Sequence, residues 1–172
     1  ALGLPFMLLV YDQPLYWLPI IGTHLLFFSA LTLRTRLNHV DWDYLKSSLY
    51  YIIPPALVGV FGLVSLPNLW IVTFIYAITM FYALIWLLNK AIHSESIWID
   101  KFLLVFGGYV AGTSLTGAPL MVAVYVRNIA RSQLRNTLFV LWFILVAIKM
   151  TAFSALDVDL QTLAALALLP VA

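Results

Sequence analysis

Residues 70–88 run for nineteen positions without a charged side chain. At about 1.5 Å of rise per residue, that makes a helix of roughly 29 Å, close to the thickness of a bilayer's hydrocarbon core. Residues 18–33 and 47–64 are equally uncharged, and residues 136–156 carry only Lys149. With 64% of its residues hydrophobic and 9% charged, against about 25% charged in a soluble domain, the chain cannot cover a water-facing surface. The expected fold class is therefore all-α, a polytopic membrane protein. The absence of cysteine excludes disulfides and thiolate chemistry. No basic face lies outside the loops, so nucleic acid is excluded as a partner.

One stretch does not suit a plain spanning helix. Gly107-Gly108-Tyr109-Val110-Ala111-Gly112-Thr113-Ser114-Leu115-Thr116-Gly117-Ala118-Pro119 combines four glycines, a proline and three hydroxyls. Glycine weakens a helix interior and proline removes a donor from it. In lipid, broken backbone persists only where protein buries it or where it lines a polar cavity. The stretch reads as a turn between two half-helices, 102–111 and 120–126, neither long enough to cross alone. It also has a second copy. Gly117-Ala118-Pro119-Leu120-Met121-Val122-Ala123-Val124-Tyr125 repeats Gly3-Leu4-Pro5-Phe6-Met7-Leu8-Leu9-Val10-Tyr11, with five of nine positions identical at a shift of 114. The same shift sets Thr23 on Thr137, which supports duplication.

Pro119 stands where a first-turn proline would open a short helix, and Pro5 does the same in the other copy. The free N–H groups and positive dipole end of such a helix suit a small anion. The candidate substrate-binding residues are Gly3, Pro5, Thr23, Thr113, Ser114, Thr116, Gly117, Pro119, Asn136 and Thr137. The competing reading is that these small residues only let helices pack closely.

Basic residues set the topology. Eight of the nine lie in the loops 34–46, 89–101 and 127–135, and loops 65–69 and 156–161 have none. Basic loops face the cytoplasm. If 102–126 crossed the membrane once, Arg127, Arg131 and Arg135 would lie outside. A re-entrant hairpin puts them inside. The two copies then have opposite orientation, the inverted-repeat plan of secondary transporters. The expected organisation is one membrane domain of two repeats: 1–101, lacking its N-terminal part, and 102–172, lacking its C-terminal part, with 162–172 opening a further span.

Lys149 is expected near the outer end of its span. It could snorkel to the interface or act as counter-ion to an anion. His24 reads as a packed histidine or a proton relay. Arg127, Arg131 and Arg135 are four apart and could line one face, contacting lipid headgroups or forming an anion vestibule. No metal-ligand spacing, catalytic set or phosphate loop is present, so neither an enzyme nor a cofactor is expected.

The pattern from Gly107 to Leu120, followed by Tyr125 and by Arg135-Asn136-Thr137-Leu138, resembles the second repeat of the TauE/SafE sulfite exporter family. Gly3-Leu4-Pro5 is similar to the first. The usual adjacent glycines before the proline are Thr116-Gly117-Ala118 here. The resemblance implies a bacterial inner-membrane protein of about eight spans that moves small sulfur-containing anions, sulfite or sulfonates, by alternating access. The alternative is a non-transporting membrane anchor or assembly subunit.

Overall fold

The computed structural model describes residues 3–34, 37–88 and 96–155. These form seven α-helices: α1 (Gly3–Val10), α2 (Pro14–Leu33), α3 (Trp42–Ser65), α4 (Asn68–Leu87), α5 (Ile97–Ser114), α6 (Ala118–Asn128) and α7 (Arg131–Ala155). Four of them, α2, α3, α4 and α7, are long and apolar enough to cross a membrane. The described residues are all-α, as expected from composition, and these four helices are what support a membrane protein. The acidic loop near Asp157 and Asp159 and the expected span at 162–172 lie outside the described residues, as do Lys90, His93 and Glu95.

Several helices begin earlier than hydropathy alone predicts, because polar residues serve as first turns and caps. Pro14, rather than Pro19, opens α2, and Pro19 lies inside the helix. Asp41 caps α3, its carboxylate accepting the Tyr44 N–H at 3.0 Å. Asp43 and Lys46 therefore stand on α3, not in a loop. Ser96 caps α5, so Ile97–Lys101 is helical and α5 has 18 residues, against the ten expected. The expected basic loop 127–135 is mostly helix: only Ile129 and Ala130 separate α6 from α7.

Among the described residues the most extensive helix contact is between α3 and α5, and glycine makes it close. A Cβ on Gly108 would stand 2.5 Å from the Ile52 carbonyl oxygen, and one on Gly112 2.2 Å from that of Ala56. From the other side, a Cβ on Gly59 would meet the Tyr109 oxygen at 2.5 Å. Lipid tails are as apolar as leucine, so this backbone-to-backbone approach, rather than hydrophobic burial, is what holds two helices together there. The glycines expected to break the helix are thus helical and serve as a packing seam.

That seam also fixes direction. Gly108 lies against Ile52 and Gly112 against Ala56, so α3 and α5 run parallel in one register. Ser114, the last residue of α5, is then level with Val58. The helix α3 continues for seven more residues, about 10 Å. By contrast, α2 and α7 are antiparallel. Gly22 packs on Val146 and Met150, while Asp41, beyond the end of α2, donates its N–H to Thr137 Oγ1 at 3.0 Å near the start of α7.

Two apolar clusters occupy the two ends. One contains Leu33, Leu45, Ile52, Met121, Val124, Tyr125, Leu141 and Leu145. The other contains Leu4, Leu8, Leu18, Val60, Leu63, Ile75 and Phe153. The aromatic trio Tyr11, Tyr16 and Trp17 stacks edge to face beside the second cluster, with centroids 5.3 and 5.0 Å apart. This is the belt expected at a membrane interface.

Candidate functional site

The chain reverses between α5 and α6. Leu115 caps α5 in the left-handed region at φ 58°, uncommon for a branched side chain. The break is three residues long, Leu115-Thr116-Gly117, shorter than the 112–119 gap between the half-helices expected from the sequence. Gly117 follows as N-cap of α6, with Pro119 in its first turn as expected. At φ −67° Gly117 has an ordinary backbone. It is glycine for want of space: a Cβ there would stand 2.2 Å from the Gly107 oxygen and 3.0 Å from the Ala111 Cβ.

From that point α6 returns along α5. Leu120 and Met121 pack on Gly107. At the far end, Arg127 reaches Asp100 Oδ2 at 3.3 Å, and the Asn128 amide donates to the same oxygen at 3.3 Å. Asp100 is in the first turn of α5 and Arg127 in the last turn of α6. The two helices therefore form a hairpin whose open ends lie at one level. Tyr125, fully buried, stacks edge to face on Tyr44 at 5.2 Å and gives its hydroxyl proton to Ser48, whose own proton goes to the Leu45 carbonyl.

The hydroxyls at the break are buried and already engaged. Thr113 donates to the carbonyls of Tyr109 and Val110, at 3.2 and 3.1 Å. Ser114 donates to Val110 at 2.9 Å, which leaves Thr116 to donate to Ser114 at 2.6 Å. A ligand at the break would have to displace these bonds or use backbone N–H groups. Thr113, Ser114, Thr116, Gly117 and Pro119 are contiguous, as expected.

The remaining predicted residues stand apart. Asn136 and Thr137 are buried in the second turn of α7, level with Asp41. That is about 25 Å along the bundle from Ser114, by the register of α3 and α5. Thr137 gives its proton to the Gln133 carbonyl, and Thr23 gives its own to Pro19. Gly3 and Pro5 open α1, where the Pro5 carbonyl accepts the Tyr76 hydroxyl at 3.4 Å. Leu115, at the break between α5 and α6, packs on the cluster that holds Leu4 and Leu8 of α1. His24 Nδ1 lies 2.9 Å from the Ile20 carbonyl, a bond inside its own helix. The three arginines do not share a helix face, because Arg127 ends α6 while Arg131 and Arg135 begin α7.

Lys149 is the largest departure from expectation. It does not snorkel: it is 2% exposed, and among the described residues its Nζ has no hydrogen-bond partner. The sequence carries a signal for this. Leu141, Leu145, Lys149 and Phe153 recur every fourth residue, and all four are buried, so Lys149 sits on the inward stripe of α7. Among the described residues no group of His, Cys, Asp or Glu could hold a metal ion. A cavity of about 210 Å³ lies between α3, α4 and α5. Leu63, Leu66, Ile71, Phe74, Tyr109 and Thr113 are among its lining, which suits an apolar group better than an anion.

A scan against protein-family models and searches of curated proteins and of solved structures find no match to this chain.

Proposed function

We propose that the protein is a secondary transporter of small anions, working by alternating access around the α5–α6 break. The observation that carries this is the hairpin. Its first helix stops about 10 Å short of its parallel neighbour α3 and turns back through a left-handed leucine. The returning helix then ends beside the starting turn, at Asp100. In a bilayer this is a re-entrant element, with its irregular backbone at membrane depth. Strained backbone at such a point is a recurring mark of binding sites and switches.

A second line of support is the relation between α2 and α7. The shift of 114 that superposes Gly3 to Tyr11 on Gly117 to Tyr125 also carries α2 onto α7, and these two helices pack antiparallel. A repeat whose partners run in opposite directions is the inverted plan of secondary transporters. The resemblance to the TauE/SafE family supplies the ligand class, sulfite or a sulfonate, and a bacterial inner-membrane setting. The protein acts as a carrier and not as an enzyme.

One feature favours the competing reading, a non-transporting anchor or assembly subunit. The hydroxyls of Thr113, Ser114 and Thr116 satisfy one another and their own helix. The chain has no cysteine, so single cysteines at 113–117 can be labelled without background. The transporter reading expects an aqueous thiol reagent to label 114 or 116, and expects proteoliposomes to take up labelled sulfite or a small alkanesulfonate. Silence in both assays selects the anchor.

A further inference from the structure

We propose that Lys149 is the charge that holds a small anion at the middle of the bundle. This inference deepens the transporter reading and rests on it for direction of movement only, since binding can be measured without transport. It starts from depth. Thr137 is level with Asp41, at the start of α3, and Phe153 packs with Val60 and Leu63, near its end. The helices α7 and α3 therefore run in the same direction. Lys149 stands twelve residues beyond Thr137, about 18 Å into a helix, α3, that is about 36 Å long. That is halfway, where a lysine can reach neither interface.

Among the described residues, its surroundings offer it no counter-charge. Leu145, one turn before, belongs to the first apolar cluster, and Phe153, one turn after, to the second. Lys149 occupies the layer between them. The α2 face across from it carries Gly22, which packs on Val146 and Met150. Every described carboxylate (Asp12, Asp41, Asp43 and Asp100) lies at a helix end or in a loop. An amine removed from water without a partner is costly, and within a membrane such a group marks a ligand path. Three N–H donors and a positive charge select an anion. The flanking leucine and phenylalanine select a small one, because a bulky headgroup would have to open both clusters.

The test is thermal unfolding of the purified protein in detergent. Sodium salts of sulfite, nitrate, chloride and sulfate are compared with gluconate at constant ionic strength. At least one small anion is expected to raise the Tm in proportion to the logarithm of its concentration. In Lys149→Met and Lys149→Gln that dependence should shift to roughly tenfold to hundredfold higher anion concentration, while Lys149→Arg retains most of it. In gluconate Lys149→Met should be at least as stable as the parent, an outcome that a purely structural lysine would reverse. No anion-dependent rise in the parent, or the same rise in Lys149→Met and Lys149→Gln, overturns the proposal. Flux in proteoliposomes, measured in parallel, separates the two readings. A Lys149-dependent rise without flux leaves the site standing and removes the transporter, whereas flux that survives in Lys149→Met removes the site alone.

Discussion

The two copies of the nine-residue motif share five identities and have opposite fates. In the second copy Met121, Val124 and Tyr125 are wholly buried. Their counterparts Met7, Val10 and Tyr11 are 36%, 83% and 47% exposed. Both segments are helical, and both place proline near the start. What differs is the neighbour. The helix α6 folds back on α5, packs on α7 and meets α3 through Tyr125, while among the described residues α1 lies against α2 and α4. A repeated sequence therefore specifies a repeated local shape, and the surrounding helices decide which face of it becomes core.

Equivalent truncations in the two copies give the widest contrast. Tyr125→Ala removes a buried ring, its stacking on Tyr44 and the proton that Ser48 accepts, and should cost about 3–5 kcal/mol. Tyr11→Ala loses an exposed edge contact with Tyr16 and should cost no more than about 1 kcal/mol. Unfolding of both variants in mixed micelles measures the difference. Equal losses would mean that the second copy is not the seated one.

A smaller effect asks what seats it. Gly117→Ala forces a methyl against the Gly107 oxygen and should cost about 1–3 kcal/mol, through overpacking. Gly62→Ala is the control: the nearest atom to its Cβ, on Leu66, is 3.8 Å away, and helix propensity then favours alanine by roughly 0.5–1 kcal/mol. Opposite signs for the two substitutions are expected in the same unfolding assay. If Gly117→Ala is neutral, α6 does not lie as close to α5 as described.

The four long apolar helices and the turn before α6 are legible in the sequence because each rests on a local rule, length of apolar run for the first and Gly-x-Pro punctuation for the second. The roles of Gly108 and Gly112 are not. Four-residue glycine spacing is a known device for close helix approach. Its partners Ile52 and Ala56 are remote in sequence, however, and nothing local distinguishes a packing glycine from a breaking one. Lys149 departs from expectation for a related reason. Hydropathy places it relative to its own apolar run, whereas Thr137 meeting Asp41 sets its depth by the neighbouring helix. The hydroxyls were correctly grouped at the break, but their bonds to the carbonyls of their own helix depend on geometry that only a formed α5 provides.

The smallest expected effect separates the copies by chemistry at their outer ends. The last turn of α6 is tied by charge, Arg127 to Asp100, with Arg127 partly exposed. The end of α1 is tied by neutral donors: the Asn68 amide reaches the Asp12 carbonyl at 2.6 Å, and Trp17 Nε1 reaches that of Tyr11 at 2.9 Å. A partly exposed ion pair contributes about 0–1 kcal/mol and is screened as the Debye length falls from about 30 Å at 0.01 M salt to about 3 Å at 1 M. A neutral hydrogen bond contributes a similar amount with little dependence on salt. Arg127→Gln should therefore lower stability by up to about 1 kcal/mol at low salt, with the loss shrinking at high salt. Asn68→Ala should cost about as much at both. Thermal melts of the two variants across that salt range measure the slopes. Parallel slopes would show that Asp100 holds α6 by geometry and not by charge, and the contrast between the two ends would disappear.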